Sequence, residues 1–306
     1  MTTATAGAIA ARPVTHAGRP SFLGLMRGEW LKVSRQWTFW IMVGLMFGGY
    51  TLFTIILSKG ANLQEFIDHH PLAALAMLTQ SPLFLLRVFW GMMIIILTAR
   101  LIGMEYSGGT ARVILARGVG RLQLLFAQLS MMALIALIGG AVFLAFAGAL
   151  ELLGVRTVAG NLDVFKAADA TFWADTRNYA LSVLISLGVS ILLAAAVTSV
   201  TRSLAAGLTV SVIWFPIDNF AFILLILGDR LTGWDFWSLV SGDFLGLNLN
   251  AMSNLVMSSH TPPAIGGLFQ PLTPVTGAHT LLVTAIYAVA FLAVAIGVTA
   301  TRDVKE

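Results

Sequence analysis

The chain contains no cysteine and little charge. The first absence rules out a disulfide framework and a thiolate metal site. The second rules out an ordinary soluble domain: charged residues make up 10% of 306 residues, against about 25% in a soluble globular chain. Lysine is scarce, and none of the lysines follows a glycine, so the Gly-Lys-Ser/Thr end of a phosphate-binding loop is missing. No His-x-x-x-His pair and no Gly-x-Ser-x-Gly elbow occurs. Adjacent His69 and His70 point apart ahead of Pro71 and read as loop residues. The formal net charge of +4 comes with no basic run interleaved with aromatics, which excludes nucleic acid as a partner. The first twenty residues lack a sustained apolar core, so they read as a disordered polar tail rather than a signal peptide.

What the chain does contain is apolar length. Hydrophobic residues reach 58%, and a bilayer core about 30 Å thick needs roughly twenty of them in a row. Six runs qualify, at about residues 37–57, 83–102, 122–150, 179–200, 204–227 and 280–300. The expected fold is an all-α membrane protein: a tail over 1–20, then a single transmembrane domain over 21–306 with an outer loop at 228–279. That loop is rich in Gly, Asn, Ser and Pro yet still apolar, and is expected to pack on the outer mouth as short helices. Basic residues set the orientation. With the N terminus inside, Arg12, Arg19, Arg27, Lys32, Arg35, Arg100, Arg112, Arg117, Arg121, Arg202, Arg302 and Lys305 are cytoplasmic, 12 of the 18. Lys59, Arg156, Lys166, Arg177 and Arg230 fall outside among nine acids. Both termini are then cytoplasmic.

Residues 22–37 place Phe22, Met26, Trp30, Val33 and Trp37 on one helical face with Arg27, Lys32 and Arg35 off it, the pattern of a helix lying in the interface. Between the second and third runs, in GMEYSGGTARVILARGVGR, Thr110 is placed to cap a short helix over Ala111 to Arg117 and Gly118 to end it. Its apolar side is Val113, Ile114 and Leu115. In the first run, Gly44 and Gly48 form a GxxxG, which fits a dimer contact or close packing within the chain.

The stretch EYSGGTARVILARGVGRLQLLFAQ resembles the cytoplasmic loop of ABC-2-type transporter permeases. There an acidic residue precedes a Gly-Thr pair, a short coupling helix and an Arg that opens the next span; Glu105, Gly109, Thr110, Leu115 and Arg121 match in order. The interfacial segment, the six spans with both ends inside and the enlarged last outer loop also agree. Gly118 stands where many members have Pro, and Gln128 where Lys is common. The resemblance implies a permease subunit without enzymatic activity or a cofactor of its own, with ATP and Mg held by separate ABC ATPase subunits. It further implies a second permease copy or a homologous permease in the assembly. Residues Glu105, Gly109, Thr110, Arg112, Leu115, Arg117 and Arg121 would couple to the ATPase. A non-transporting anchor or sensor and an ion-coupled secondary transporter are the alternatives.

Two ionisable residues fall inside apolar runs, Arg87 in the second and Asp218 in the fifth, the latter just after Pro216 and close to Trp214. Such a charge faces protein or water. Arg87, Trp214, Pro216 and Asp218 are therefore candidates for a translocation route, with a snorkelling Arg87 and a hydrogen-bonded Asp218 as the structural alternatives. Counted from span ends at Leu83 and Leu227, the two charges lie about 6 Å and about 13 Å deep. A direct Arg87–Asp218 ion pair is expected on that count.

Overall fold

A computed structural model describes residues 21–59, 63–258, 261–262 and 269–301, and within them every regular element is a helix. The tail read over residues 1–20 lies outside the described residues. The helices in chain order are α1 (Phe22–Ser34), α2 (Trp37–Ser58), α3 (Leu63–His69), α4 (Pro71–Leu85), α5 (Gly91–Ser107), α6 (Thr110–Ala116), α7 (Arg121–Ala159), α8 (Ala170–Thr201), α9 (Leu204–Asn219), α10 (Ala221–Thr232), α11 (Asp235–Ser241), α12 (Leu245–Leu255) and α13 (Gly277–Thr301). A π-helical turn at Leu86–Trp90 joins α4 to α5, and a 3₁₀ turn at Asp163–Ala167 precedes α8.

Local chemistry sets several of these ends. The hydroxyl of Ser21 accepts from Gly24 N at 3.1 Å to start α1, the Asp169 carboxylate accepts from Phe172 N at 2.7 Å to start α8, and Ser203 accepts from Ala206 N at 3.3 Å to start α9. Pro71 occupies the first turn of α4, where its missing N–H costs nothing.

Five helical stretches are long and apolar enough to cross a membrane, α4 and α5 together forming one of them over Pro71–Ser107. A sixth is formed by α9 and α10, bent by 54° at their junction. The sequence reading starts the second span near Leu83, whereas the helix is continuous from Pro71. At 1.5 Å per residue α7 is about 58 Å long, far more than the ~30 Å a bilayer core requires.

The spans are not equivalent. In their most apolar windows, 67% of the α4–α5 span and 61% of α8 are buried, against 28% of α7, 17% of α13 and 11% of α2. Helices α5 and α8 are therefore the axis, with α9, α13 and α7 around them. Trp90, Ile94, Leu97, Met132, Phe143 and Leu187 form the centre of the core, and Trp90 also donates to the Ala136 carbonyl at 3.1 Å. The face of α2 carrying Leu45, Leu52 and Ile56 lies open, as does the ground around Gly44 and Gly48, where an added Cβ meets nothing within 4 Å. The GxxxG is thus not spent on close packing within the chain.

Helices α1 and α6 mark one end of the bundle, called here the near end. At the far end the apolar segment after α10 folds into α11 and α12, and α12 wedges against α8, α9 and α13 with Leu245 to Ser253 buried. The Asp175 carboxylate holds the chain that follows, accepting from Ser258 N at 2.8 Å, Ser258 Oγ at 2.6 Å and Thr261 Oγ1 at 2.7 Å.

Candidate functional site

Two polar groups stand out, one at each level of the bundle. The near-end group begins at α6. Gly109 adopts a left-handed backbone (φ +64°) at the position before the helix, so Thr110 is the first helical residue and not the cap the sequence reading gives it. Gly118 closes the turn at φ +86°, its N–H on the Leu115 carbonyl at 2.9 Å. A proline at position 118 does not fit that backbone, because its ring fixes φ near −65°.

Of the apolar trio, Val113 is 52% exposed, whereas half-buried Leu115 turns inward. Leu115 lines a cavity of about 40 Å³ together with Glu105, Arg121, Gln128 and Arg202. Arg117 is exposed, and the side chain of Arg112 falls outside what the structure describes.

Glu105 is buried at the end of α5 and does not face the solvent beside α6. Its carboxylate accepts from Lys32 Nζ at 2.6 Å, and the same ammonium reaches Glu29 at 2.7 Å. The acid–lysine–acid triad pins α1 to the base of α5. Burial raises the Glu29 pKa above 4.5, against the hydrogen bond from Lys32, which lowers it. Burial alone would lower the Lys32 pKa, but the hydrogen bond and charge of Glu105, then those of Glu29, carry it above 10.5. A second tie links the α1–α2 elbow to the same span, from Arg100 Nε to Gln36 Oε1 at 3.3 Å.

The sequence reading misses Glu29, which sits with Val33 and Met26 on the packed face of α1, while Phe22 and Trp30 lie at its edge. The available signal is the i, i+3 spacing of Glu29 and Lys32.

The second group lies deep in the bundle. Arg87 is 4% exposed, inside the π turn that joins α4 to α5. It donates through Nε to Ser186 Oγ of α8 at 3.3 Å and through Nη2 to Asn219 Oδ1 of α9 at 3.1 Å. The expected Arg87–Asp218 ion pair is not formed within 4.0 Å, although Asp218 is buried and in electrostatic range of the guanidinium.

The register explains this. Gly103 and Leu204 touch, an added Cβ on Gly103 falling 2.8 Å from Leu204 Cα. From that landmark Arg87 lies about 24 Å up its helix and Asn219 about 22 Å up α9, so the two are level. The count from Leu83 fails because the span does not begin there. Asp218, one residue earlier and about 100° around the helix, faces α12, where the Gly246 N–H points at its carboxylate. Gly246 is required there: an added Cβ comes within 2.6 Å of the Asp218 carbonyl oxygen and 2.8 Å of Asn219 N.

Pro216 does not break α9 where it stands. The helix runs on to Asn219, and the 54° bend follows at Phe220. Asn219 Nδ2 donates to the Phe215 carbonyl at 2.8 Å, a side-chain bond that competes with the helical ladder. Asn219 is thus a second residue the sequence reading misses; it carries no charge to mark it. Trp214 is 40% exposed on the outside of α9 and does not join this group.

The geometry at both levels is that of a polytopic helical bundle with a short helix held at one face and a polar break inside a span. No curated protein matches the chain. A family profile described as ABC-2 family transporter protein matches residues 25–218, from α1 through the near-end loop to Asp218. The chain belongs to the ABC-2 family of transporter proteins, as a multi-pass membrane permease component of an ABC transporter.

Proposed function

We propose that this chain is the permease half of an ATP-driven transporter in the cytoplasmic membrane, with its near end in the cytoplasm and its energy drawn from a separate ABC ATPase subunit. The observation that carries the reading is α6: a two-turn helix between two spans, presenting Val113 outward on a base tied to α1 by the Lys32 triad. A helix so anchored can pass a push from a docked partner into α1 and α5 together. ATP and Mg belong to that partner, since the chain has no phosphate-binding loop. A second copy of the permease fits the open face of α2, where Gly44 and Gly48 leave room for a close helix crossing. The substrate route follows the polar break, past Arg87, Asn219 and Asp218. In this reading Val113 rather than Leu115 carries the docking contact, because Leu115 faces the bundle.

The test is affinity capture from the native membrane. Wild type should bring down an ATP-hydrolysing subunit, and Val113→Asp should reduce its recovery at least tenfold while inserting normally, since it places a carboxylate in an apolar contact. Equal recovery of the ATPase by the variant would remove α6 from the docking surface. Orientation is read separately. The native chain has no cysteine, so an impermeant thiol reagent on intact cells should label Leu231→Cys, on exposed α10, and spare Ala116→Cys, on α6. Labelling of position 116 from outside would reverse the assignment.

A further inference from the structure

One half-buried acid in an apolar cavity belongs to neither polar group. Glu151 lies on α7, and its carboxylate accepts from the Tyr50 hydroxyl of α2. The Ser81 hydroxyl of α4 lies in hydrogen-bonding reach of the same pair. Tyr50 and Ser81 are buried. Among the described residues no cationic side chain comes within 4.0 Å of the Glu151 carboxylate. It sits on the wall of a cavity of about 90 Å³ between α2, α3, α4 and α7, and every other residue lining that cavity is uncharged. The walls are Phe53, Phe66, Ile67, Met77, Leu78 and Val155. Tyr50 is about 12 Å from the far end of α2 at 1.5 Å per residue, so the acid stands inside the hydrocarbon layer and not in the headgroups.

We infer that this cavity is a binding site for an organic ammonium ion carried on an apolar body, entering from the far half of the membrane. An ionised carboxylate in hydrocarbon is costly without a countercharge. The described residues supply none within 4.0 Å, whereas an ammonium group does so through a charge-assisted hydrogen bond. Phe53 and Phe66 add aromatic rings to the cavity wall, which suits a cation, and the aliphatic walls accept the ligand's apolar body. Amine binding at this cavity requires neither an ATPase nor a direction of transport, so its failure and that of the transport reading are separable.

The experiment uses the full chain in phosphatidylcholine nanodiscs and the fluorescent primary amine dansylcadaverine, with its uncharged N-acetyl derivative as control. Saturable binding of the amine is expected, weakened at least tenfold in Glu151→Gln and in the acetylated probe. Leu78→Trp, which fills the cavity and keeps the acid, should weaken binding equally, so the result does not hinge on one variant folding. Retained thermal unfolding of either variant identifies the loss as one of binding. Including phosphatidylethanolamine in the nanodisc separates two sources of the same chemistry: competition by the lipid marks its amine as the occupant, and no competition marks a free amine. Equal affinity of wild type and both variants, or partition no greater than in empty nanodiscs, overturns the proposal.

Discussion

The two polar groups of this molecule handle charge in opposite ways. At the near end Lys32 is sandwiched between two carboxylates, each within 2.7 Å, and its side chain remains 36% exposed. In the interior Arg87 is sealed and held by a serine and an asparagine, with Asp218 at a distance. Near the membrane face water can share the load of a charge, so a compact set of ion pairs suffices there and each is worth little singly. In the apolar layer water is gone, and a charge survives only if dipoles and a countercharge are both built around it. The near-end group therefore acts as a fastening between α1 and α5. The interior group is where α5, α8 and α9 meet, and a change in the α9–α10 bend would be felt by the guanidinium directly.

The sharpest way to break this comparison is to remove Arg87. Arg87→Met should cost about 3 kcal/mol of stability, because it takes away two hydrogen bonds to a charged donor and strands Asp218 in low dielectric. Thermal unfolding of the purified protein measures it. A double-mutant cycle then apportions the loss. Coupling of Arg87 to Asn219 should exceed its coupling to Asp218, since only Asn219 touches it. The reverse order would restore the direct ion pair.

Next in size is Gly246→Ala. The added methyl has no flexible side chain to displace, only the backbone of Asp218 and Asn219. The end of α9 must shift, at a cost of about 1–3 kcal/mol for overpacking. Because Asn219 moves with it, transport should fall even though no polar atom has been changed. Unaltered transport and stability would mean that the α9–α12 contact does not position the interior group.

How far the sequence foretold all this depends on what kind of signal each part leaves. The spans were legible because twenty apolar residues in a row suit a bilayer and little else. The start of α4 was not: Thr79, Gln80, Ser81 and Pro82 look like a connection, yet Gln80 is buried with its amide on the Pro262 carbonyl at 3.1 Å, and the helix runs through Pro82. That hidden extension displaced the depth of Arg87, while the false ion pair came from the facing of α9, which turns Asn219 and not Asp218 toward the guanidinium. Gly118 was legible as a turn, since few residues enter the left-handed region. The facing of α6 was not, because three consecutive apolar residues on one turn do not say which of them turns inward. Asn219 and Glu29 went unread for a common reason: their roles depend on partners more than sixty residues away in sequence, Arg87 and Glu105, by way of Lys32.

The smallest expected effect concerns the fastening itself. The Lys32 pKa is raised in the folded protein, so the ammonium is favoured there relative to the unfolded chain. The stability this contributes is fully present below the unfolded value near 10.5 and is lost as pH rises through the higher folded value. Wild-type thermal stability should therefore decline across that alkaline window by more than the stability of Lys32→Met does. Glu29 contributes in the other window. Its raised pKa adds stability below about 4.5 that fades as pH rises through the folded value, and Glu29→Gln should flatten the profile there. With the lysine partly exposed, the effect should be at most about 1 kcal/mol and should shrink with added salt. Its structural readout is more specific than its size: when the ammonium is lost, α1 should loosen from α5 while the interior group stays intact. Hydrogen exchange should then quicken at the Val33 amide and remain slow at Ala99. Equal quickening at both would make the triad part of the core rather than a fastening on its rim.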